Sequence, residues 1–133
     1  VNARIKHREQ FRPFAGAVPL EVASTYFEIS GASPYMQFVM PVRPEVQARI
    51  PAVTHHGTCR LQTVAPADDP LFHELLHAFG QRTGIPILLN TSFNDADEPI
   101  VCTPENALRT SLHTDLDALV LGPFVVTKSP VHR

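Results

Sequence analysis

The chain has 133 residues, with 11 basic and 13 acidic side chains and a formal net charge of -2. That length suits one domain with a real core, and a hydrophobic fraction of 44% is too high for a disordered chain. The weakly acidic balance excludes a general nucleic-acid coat, which needs a clear basic excess, and no apolar run approaches the roughly 18 residues of a membrane span. No charged-then-apolar leader opens the chain. The basic set is lopsided, with nine Arg against two Lys. Cys59 and Cys102 stand far apart with no C-x-x-C pattern, which suits buried thiols in a reducing cytoplasm. The first residue is Val, which is expected of a chain cut from something longer.

In chain order, Arg4, Lys6, Arg8 and Arg12 crowd the first twelve residues, with His7 among them. Pro13 disfavours helix at Arg12, so the pattern predicts a short helix end and then an extended stretch. Phe14 to Val18 reads as a strand. Leu20 to Ile29 follows Pro19 with Leu20, Ala23, Tyr26 and Phe27 at helical spacing. Ser30 to Pro34 is a loop, and Tyr35 to Val42 reads as a strand whose far end Pro41 makes an edge. Pro44 to Pro51 brackets a turn or loose helix. Thr58 to Val64 alternates, with Cys59, Leu61 and Thr63 on one face and Arg60 on the other. Asp69 as N-cap and Pro70 as first helical residue start a helix that stops near Gly84. Its expected buried stripe is Leu71, Phe72, Leu75, Leu76 and Phe79, with the histidines facing away. Ile85 to Leu89 reads as a buried strand, and Asn90 to Asp97 is polar and turn-rich. Thr103-Pro104-Glu105 starts a helix running to about His113. Leu116 to Val126 is a last strand region broken by Gly122-Pro123. Strands alternating with helices indicate an α/β fold, a twisted mixed sheet with flanking helices.

His73-Glu74-Leu75-Leu76-His77 matches H-E-x-x-H, in which two histidines one helical turn apart bind zinc and the glutamate is a general base. The position of a third histidine ligand holds Thr83, and the neighbouring sequence offers no thiolate or carboxylate in its place. A surface helix explains the match better, and zinc hydrolysis stands as a remote alternative, with no metal site assigned.

A distributed set of residues points instead to anions. Guanidinium forks match phosphate oxygens, and lysine adds a point charge. Lys6 and Arg12 precede an extended segment, Arg60 lies on an alternating strand, and Asn90, Thr91 and Ser92 directly follow an apolar strand. Ligand sites in α/β sheets gather at strand carboxyl ends, and loop N–H groups with hydroxyls and amides complete a phosphate pocket. His55-His56-Gly57 reads either as a ligand-facing loop or as a turn. Arg109 is spaced for an ion pair with Glu105.

Several strings then point to one family. Arg4-Ile5-Lys6-His7-Arg8-Glu9 with Phe11-Arg12-Pro13-Phe14-Ala15, then Ser33-Pro34-Tyr35-Met36, resemble the opening of the carbamoyltransferase C-terminal domain of nodulation-type and antibiotic-tailoring O-carbamoyltransferases. Ile50-Pro51-Ala52-Val53-Thr54-His55, Thr83-Gly84-Ile85-Pro86 with Leu88 to Asn94, and Glu98 to Pro104 resemble later stretches of that domain in order. The resemblance implies part of a YrdC-like α/β domain that takes carbamoyl phosphate and ATP and makes a carbamoyl-adenylate, with Mg2+ as a companion ion. It implies a partner, the N-terminal transferase domain of the same enzyme, which holds its own metal and passes the carbamoyl group to an acceptor hydroxyl. It implies that Lys6, Arg12, Arg60, Asn90 and Ser92 bind substrate, with Lys6 and Arg12 on phosphate oxygens, Arg60 steadying shifting charge, and Asn90 and Ser92 orienting the carbamoyl group or α-phosphate. Lys6 and Arg60 are the expected catalytic pair, acting electrostatically. Arg8, His55, Thr91 and Arg109 complete the set of candidates.

Asp97 stands where the family has Gly, but Asp tolerates left-handed backbone, so the turn is expected to survive. The expectation is a cytoplasmic C-terminal fragment of 133 residues forming a single domain, with no nucleic-acid or membrane partner, that does not transfer carbamoyl groups alone. A non-catalytic phosphate- or nucleotide-binding module is the alternative.

Overall fold

The computed structural model describes residues 1–128, which divide into two compact units, one of Pro13–Thr91 and one of Val1–Arg12 with the segment from Ser92 onward. In the first unit, strands β1 (Ala15–Pro19), β2 (Val39–Pro41), β3 (Thr58–Val64) and β4 (Leu88–Asn90) form a mixed sheet in the order β2-β3-β1-β4. β1 and β3 are parallel, and the outer pairings are antiparallel. Flanking helices are α1 (Ala23–Tyr26), which follows a 3-10 turn at Leu20–Val22, α2 (Pro44–Gln47) and α3 (Pro70–Thr83). The fold is therefore the α/β mixed sheet that the pattern implies.

The alternation of β3 divides the core between the two sheet faces. Cys59 and Leu61 pack with Val18, Phe27, Val42, Val46, Ile50 and Val53 on one face. On the other, Ala17 and Val64 meet Leu76 of α3, with Phe72 and Leu88 packed alongside. Asp69 caps α3 by accepting a hydrogen bond from the Phe72 N–H at 3.0 Å, and Gly84 ends it in the left-handed region at φ 80°.

Four expectations for this unit need correction. The strand expected over Tyr35–Val42 is a strand only at Val39–Pro41, with Val42 in an isolated bridge to Phe27, and Met36 at φ 54° breaks the extended run before it. The helix expected over Leu20–Ile29 ends at Tyr26, where Phe27 turns extended to enter the core. The strand expected over Ile85–Leu89 is Leu88–Asn90, a half-buried antiparallel edge. On α3, Leu71 and Leu75 are exposed at 75% and 53%, and the face that turns inward carries Leu76 and, in part, His73. The leucine count suggested a wider stripe than the helix has sheet to cover.

In the second unit, α4 (Pro104–His113) is capped by Thr103, whose hydroxyl accepts from the Asn106 N–H. The last strand region is a hairpin, with β5 (Ala118–Leu121) pairing β6 (Phe124–Thr127) across Gly122 at φ 56°. Residues 1–12 form no helix element. The Ile5 and Lys6 N–H groups both donate to the Val1 carbonyl, and His7 at φ 41° ends the turn. Cys102 is exposed, against the expectation of two buried thiols, and Cys59 is buried.

Candidate functional site

The second unit holds a polar cavity of about 400 Å3 lined by Lys6, His7, Arg8, Glu9, Arg12, Ser92 and Asn94–Asp97. Lys6 lies at its base and is only 4% exposed. Its ammonium donates to the Ser92 carbonyl at 2.8 Å, to Asn94 Oδ1 at 2.6 Å and to the Asn94 carbonyl. Three donors thus meet three loop oxygens, which matches the capacity of an ammonium group. Burial, with Arg8 and Arg12 nearby, presses the Lys6 pKa below the ordinary lysine value, against an upward pull from Asp95. Ser92 Oγ donates to the same Asn94 Oδ1 at 2.6 Å, so Lys6, Ser92 and Asn94 act as one knot.

The rest of the cavity is built on the turn that Asp97 makes possible. Asp97 sits at φ 61°, the left-handed backbone its position requires. Asn94 Nδ2 donates to the Glu98 carbonyl at 2.9 Å, and the Glu98 carboxylate accepts from Thr110 Oγ1 at 3.0 Å. The Asp95 carboxylate pairs with His7 Nδ1 at 2.7 Å and accepts from the Ala96 N–H at 2.6 Å. Burial alone would raise the Asp95 pKa, but the Ala96 N–H, His7 and Lys6 outweigh it and hold the carboxyl below its ordinary value. Arg12 is exposed, and its guanidinium stands 3.9 Å from Glu9, a loose pair. Arg8 Nε donates to Asn2 Oδ1 at 2.7 Å.

Residue reasoning passed over Asn2, Asn94 and Asp95. Asn2 is buried and donates to the Arg12 and Gln10 carbonyls at 3.0 and 3.3 Å, fixing the path of the basic segment. A buried amide at the second position leaves no mark in composition or spacing. Asn94 was in plain view as the last residue of the Leu88–Asn94 string. Arg109 lines a separate cleft of about 160 Å3 with Glu98, Cys102 and Asn106, and no Glu105 ion pair holds it among the described residues.

In the first unit, Arg60 and Asn90 flank Ala15 in register, so the three share a sheet face. Asn90 Nδ2 donates to Gln62 Oε1 at 2.5 Å, across the methyls of Ala15 and Ala17. Arg60 is exposed, and the half-buried Thr91 follows β4 directly. Because β4 runs antiparallel to β1, Asn90 lies beside the amino end of β1, and the carboxyl-end rule does not account for its position. His55 closes a two-residue hairpin with Thr58, across His56 at φ 50° and Gly57 at φ 75°. Its Nε2 accepts from the Phe14 N–H at 3.1 Å, so in this arrangement that nitrogen is engaged by the backbone.

The H-E-x-x-H helix also has a neighbour that local sequence did not offer. Glu21, from the 3-10 turn, places Oε1 at 2.9 Å from His73 Nε2 and 2.6 Å from His77 Nε2. The expectation that no carboxylate stands near is therefore corrected, since the chain brings one from 52 residues upstream of His73.

The cavity thus combines the cations Lys6, Arg8 and Arg12 with the carboxylates of Glu9, Asp95 and Asp97 and with the hydroxyl and amide of Ser92 and Asn94. Residues 1–128 match the family described as Carbamoyltransferase C-terminus, and the chain belongs to that family. It is similar to nodulation protein NolO of Bradyrhizobium diazoefficiens, with 47% identity over 98% of this chain and 24% of the relative. It is similar to 3'-hydroxymethylcephem-O-carbamoyltransferase of Amycolatopsis lactamdurans, with 40% identity over 68% of this chain and 17% of the relative. An uncharacterized protein of Synechocystis, sll1178, is 41% identical over 97% of the chain and 24% of its own length. The chain thus spans about a quarter, or less, of the relatives it matches.

Proposed function

We propose that the chain is the C-terminal part of an ATP-dependent O-carbamoyltransferase, which binds carbamoyl phosphate and ATP and forms a carbamoyl-adenylate for transfer to an acceptor hydroxyl. The observation that carries this reading is the cavity at Lys6, Arg12, Ser92 and Asn94, taken with membership of the family. Arg12, loosely paired and exposed, meets phosphate oxygens with its planar fork. Lys6 contributes its charge and holds the Ser92–Asn94 loop in the shape that receives the anion. Ser92 offers a hydroxyl to the carbamoyl group or α-phosphate.

In the other unit, Arg60 steadies negative charge and Asn90 orients the substrate by hydrogen bonds. A magnesium ion accompanying the nucleotide takes oxygen ligands, and Glu9, Asp95 and Asp97 are the cavity's carboxylates. Catalysis of this kind needs no nucleophilic side chain, only donors set where charge develops. The partner is the transferase domain of the same enzyme, and a hydroxyl acceptor is in keeping with the name of the cephem relative.

Calorimetry with carbamoyl phosphate and with ATP tests the reading. Saturable binding that is lost in Arg12→Ala and weakened in Arg60→Ala is the expected result, and unchanged binding in both variants sinks it. Release of inorganic phosphate separates an enzyme from a module that binds without turnover.

A further inference from the structure

We propose that Glu21, His73 and His77 form a site for a divalent transition-metal ion, with Zn2+ as its occupant, that staples the 3-10 turn after β1 to helix α3. The site shares no residue with those assigned above to carbamoyl chemistry, and it stands or falls independently of that reading.

Three observations carry it. The ligand atoms converge, because both imidazole Nε2 atoms point at one carboxylate oxygen, at 2.9 and 2.6 Å. One ligand atom from each residue lies within 4.8 Å of the others. A tetrahedral zinc with bonds of about 2.0–2.1 Å wants its ligand atoms roughly 3.4 Å apart, so small side-chain rotations suffice. The donor set is selective, since two imidazole nitrogens and one carboxylate suit zinc, whereas Mg2+ and Ca2+ favour all-oxygen shells.

The third observation is that the support is graded. His73 is held with its side chain 15% exposed, while His77 and Glu21 are 41% and 48% exposed. One ligand is thus fixed by packing, and two stand open to an arriving ion. The spacing of His73 and His77 places them one helical turn apart, their rings 4.6 Å between centroids.

Binding exchanges hydrogen bonds for metal bonds. Each Nε2 now hydrogen-bonded to Glu21 must present a lone pair, so its proton moves to Nδ1 or leaves to solvent. Three protein ligands leave a fourth position for water. The ion then ties together elements 52 residues apart in sequence and stabilises the folded chain by mass action.

The test is titration of the EDTA-treated chain with ZnCl2, followed by calorimetry, metal analysis after dialysis, and thermal unfolding. One zinc per chain and a rise in Tm are expected. Glu21→Gln, at an exposed position, and His77→Ala, at a half-buried one, should each weaken binding by roughly tenfold or more and remove the Tm shift. His56→Asn should leave both unchanged. Circular dichroism without metal checks that the variants fold. Failure to bind Zn2+ at micromolar concentration, or binding that survives both ligand variants, overturns the proposal. So does equal binding of Mg2+, which would contradict the donor chemistry.

Discussion

Lys6 shows how a residue expected to meet a ligand can carry a structural task that its neighbours in sequence do not announce. Its string of basic neighbours marked it as an anion ligand, and the structure puts it at the base of a polar cavity. Yet its donors meet Ser92 and Asn94, and such a commitment emerges only when a loop from the far end of the chain is folded over it. Lys6→Met would leave those oxygens without their donor in a largely buried position. The expected loss is about 1–3 kcal/mol, measured by chemical denaturation, with faster amide exchange over residues 92–97 as its local signature. The thiols make a second residue-scale prediction. Cys59 is enclosed in the sheet core, where burial pushes its pKa up to about 11, while Cys102 is exposed. One thiol should react promptly with a disulfide reagent near neutral pH, and the second only as the chain unfolds. Prompt reaction of both would mean that the core around Cys59 opens readily.

Among elements, helix ends were the most legible. Asp69-Pro70 and Thr103-Pro104 announce their helices because the capping oxygen and the missing proline donor act locally, within three residues. Asp69→Ala should cost about 1 kcal/mol, read as a lower denaturation midpoint. What local patterning could not supply was the width of each element's buried face. The exposed Leu71 and Leu75 and the shortened β2 were set by how much sheet lies opposite, a tertiary fact. A close approach was equally hidden. A Cβ built on Gly80 would stand 2.7 Å from Pro86 Cβ, so α3 and the segment before β4 touch at a position that only glycine fits. Gly80→Ala should therefore destabilise by about 1–3 kcal/mol, although alanine is the better helix former, and a gain in Tm would refute the contact.

For the whole molecule, the net charge of -2 conceals the distribution that matters. Lys6, Arg8 and Arg12 share their cavity with Glu9 of their own segment and with Asp95 and Asp97, acids that sequence left in a separate loop. The family was legible because its strings are long and ordered, whereas the balance of the cavity depended on two distant segments meeting. Acid should unsettle this arrangement. Asp95 is held below its ordinary pKa, so its stabilising share is fully present above the unfolded value and is lost as pH falls through the depressed folded one. Asp95→Asn should flatten the acid limb of a stability-versus-pH curve, and an unchanged limb would show that the carboxylate contributes little.

β1 carries a different kind of consequence. Opposite Arg60, Gln62 and Asn90 it presents the methyls of Ala15 and Ala17, both fully buried. The strand is in effect a shallow trench between taller banks, and the Asn90–Gln62 hydrogen bond is the bridge across it. The reach between the banks is thus governed by a residue whose side chain is a single methyl group. One added methyl group at position 15 would raise the trench floor and alter the span without changing a single charge.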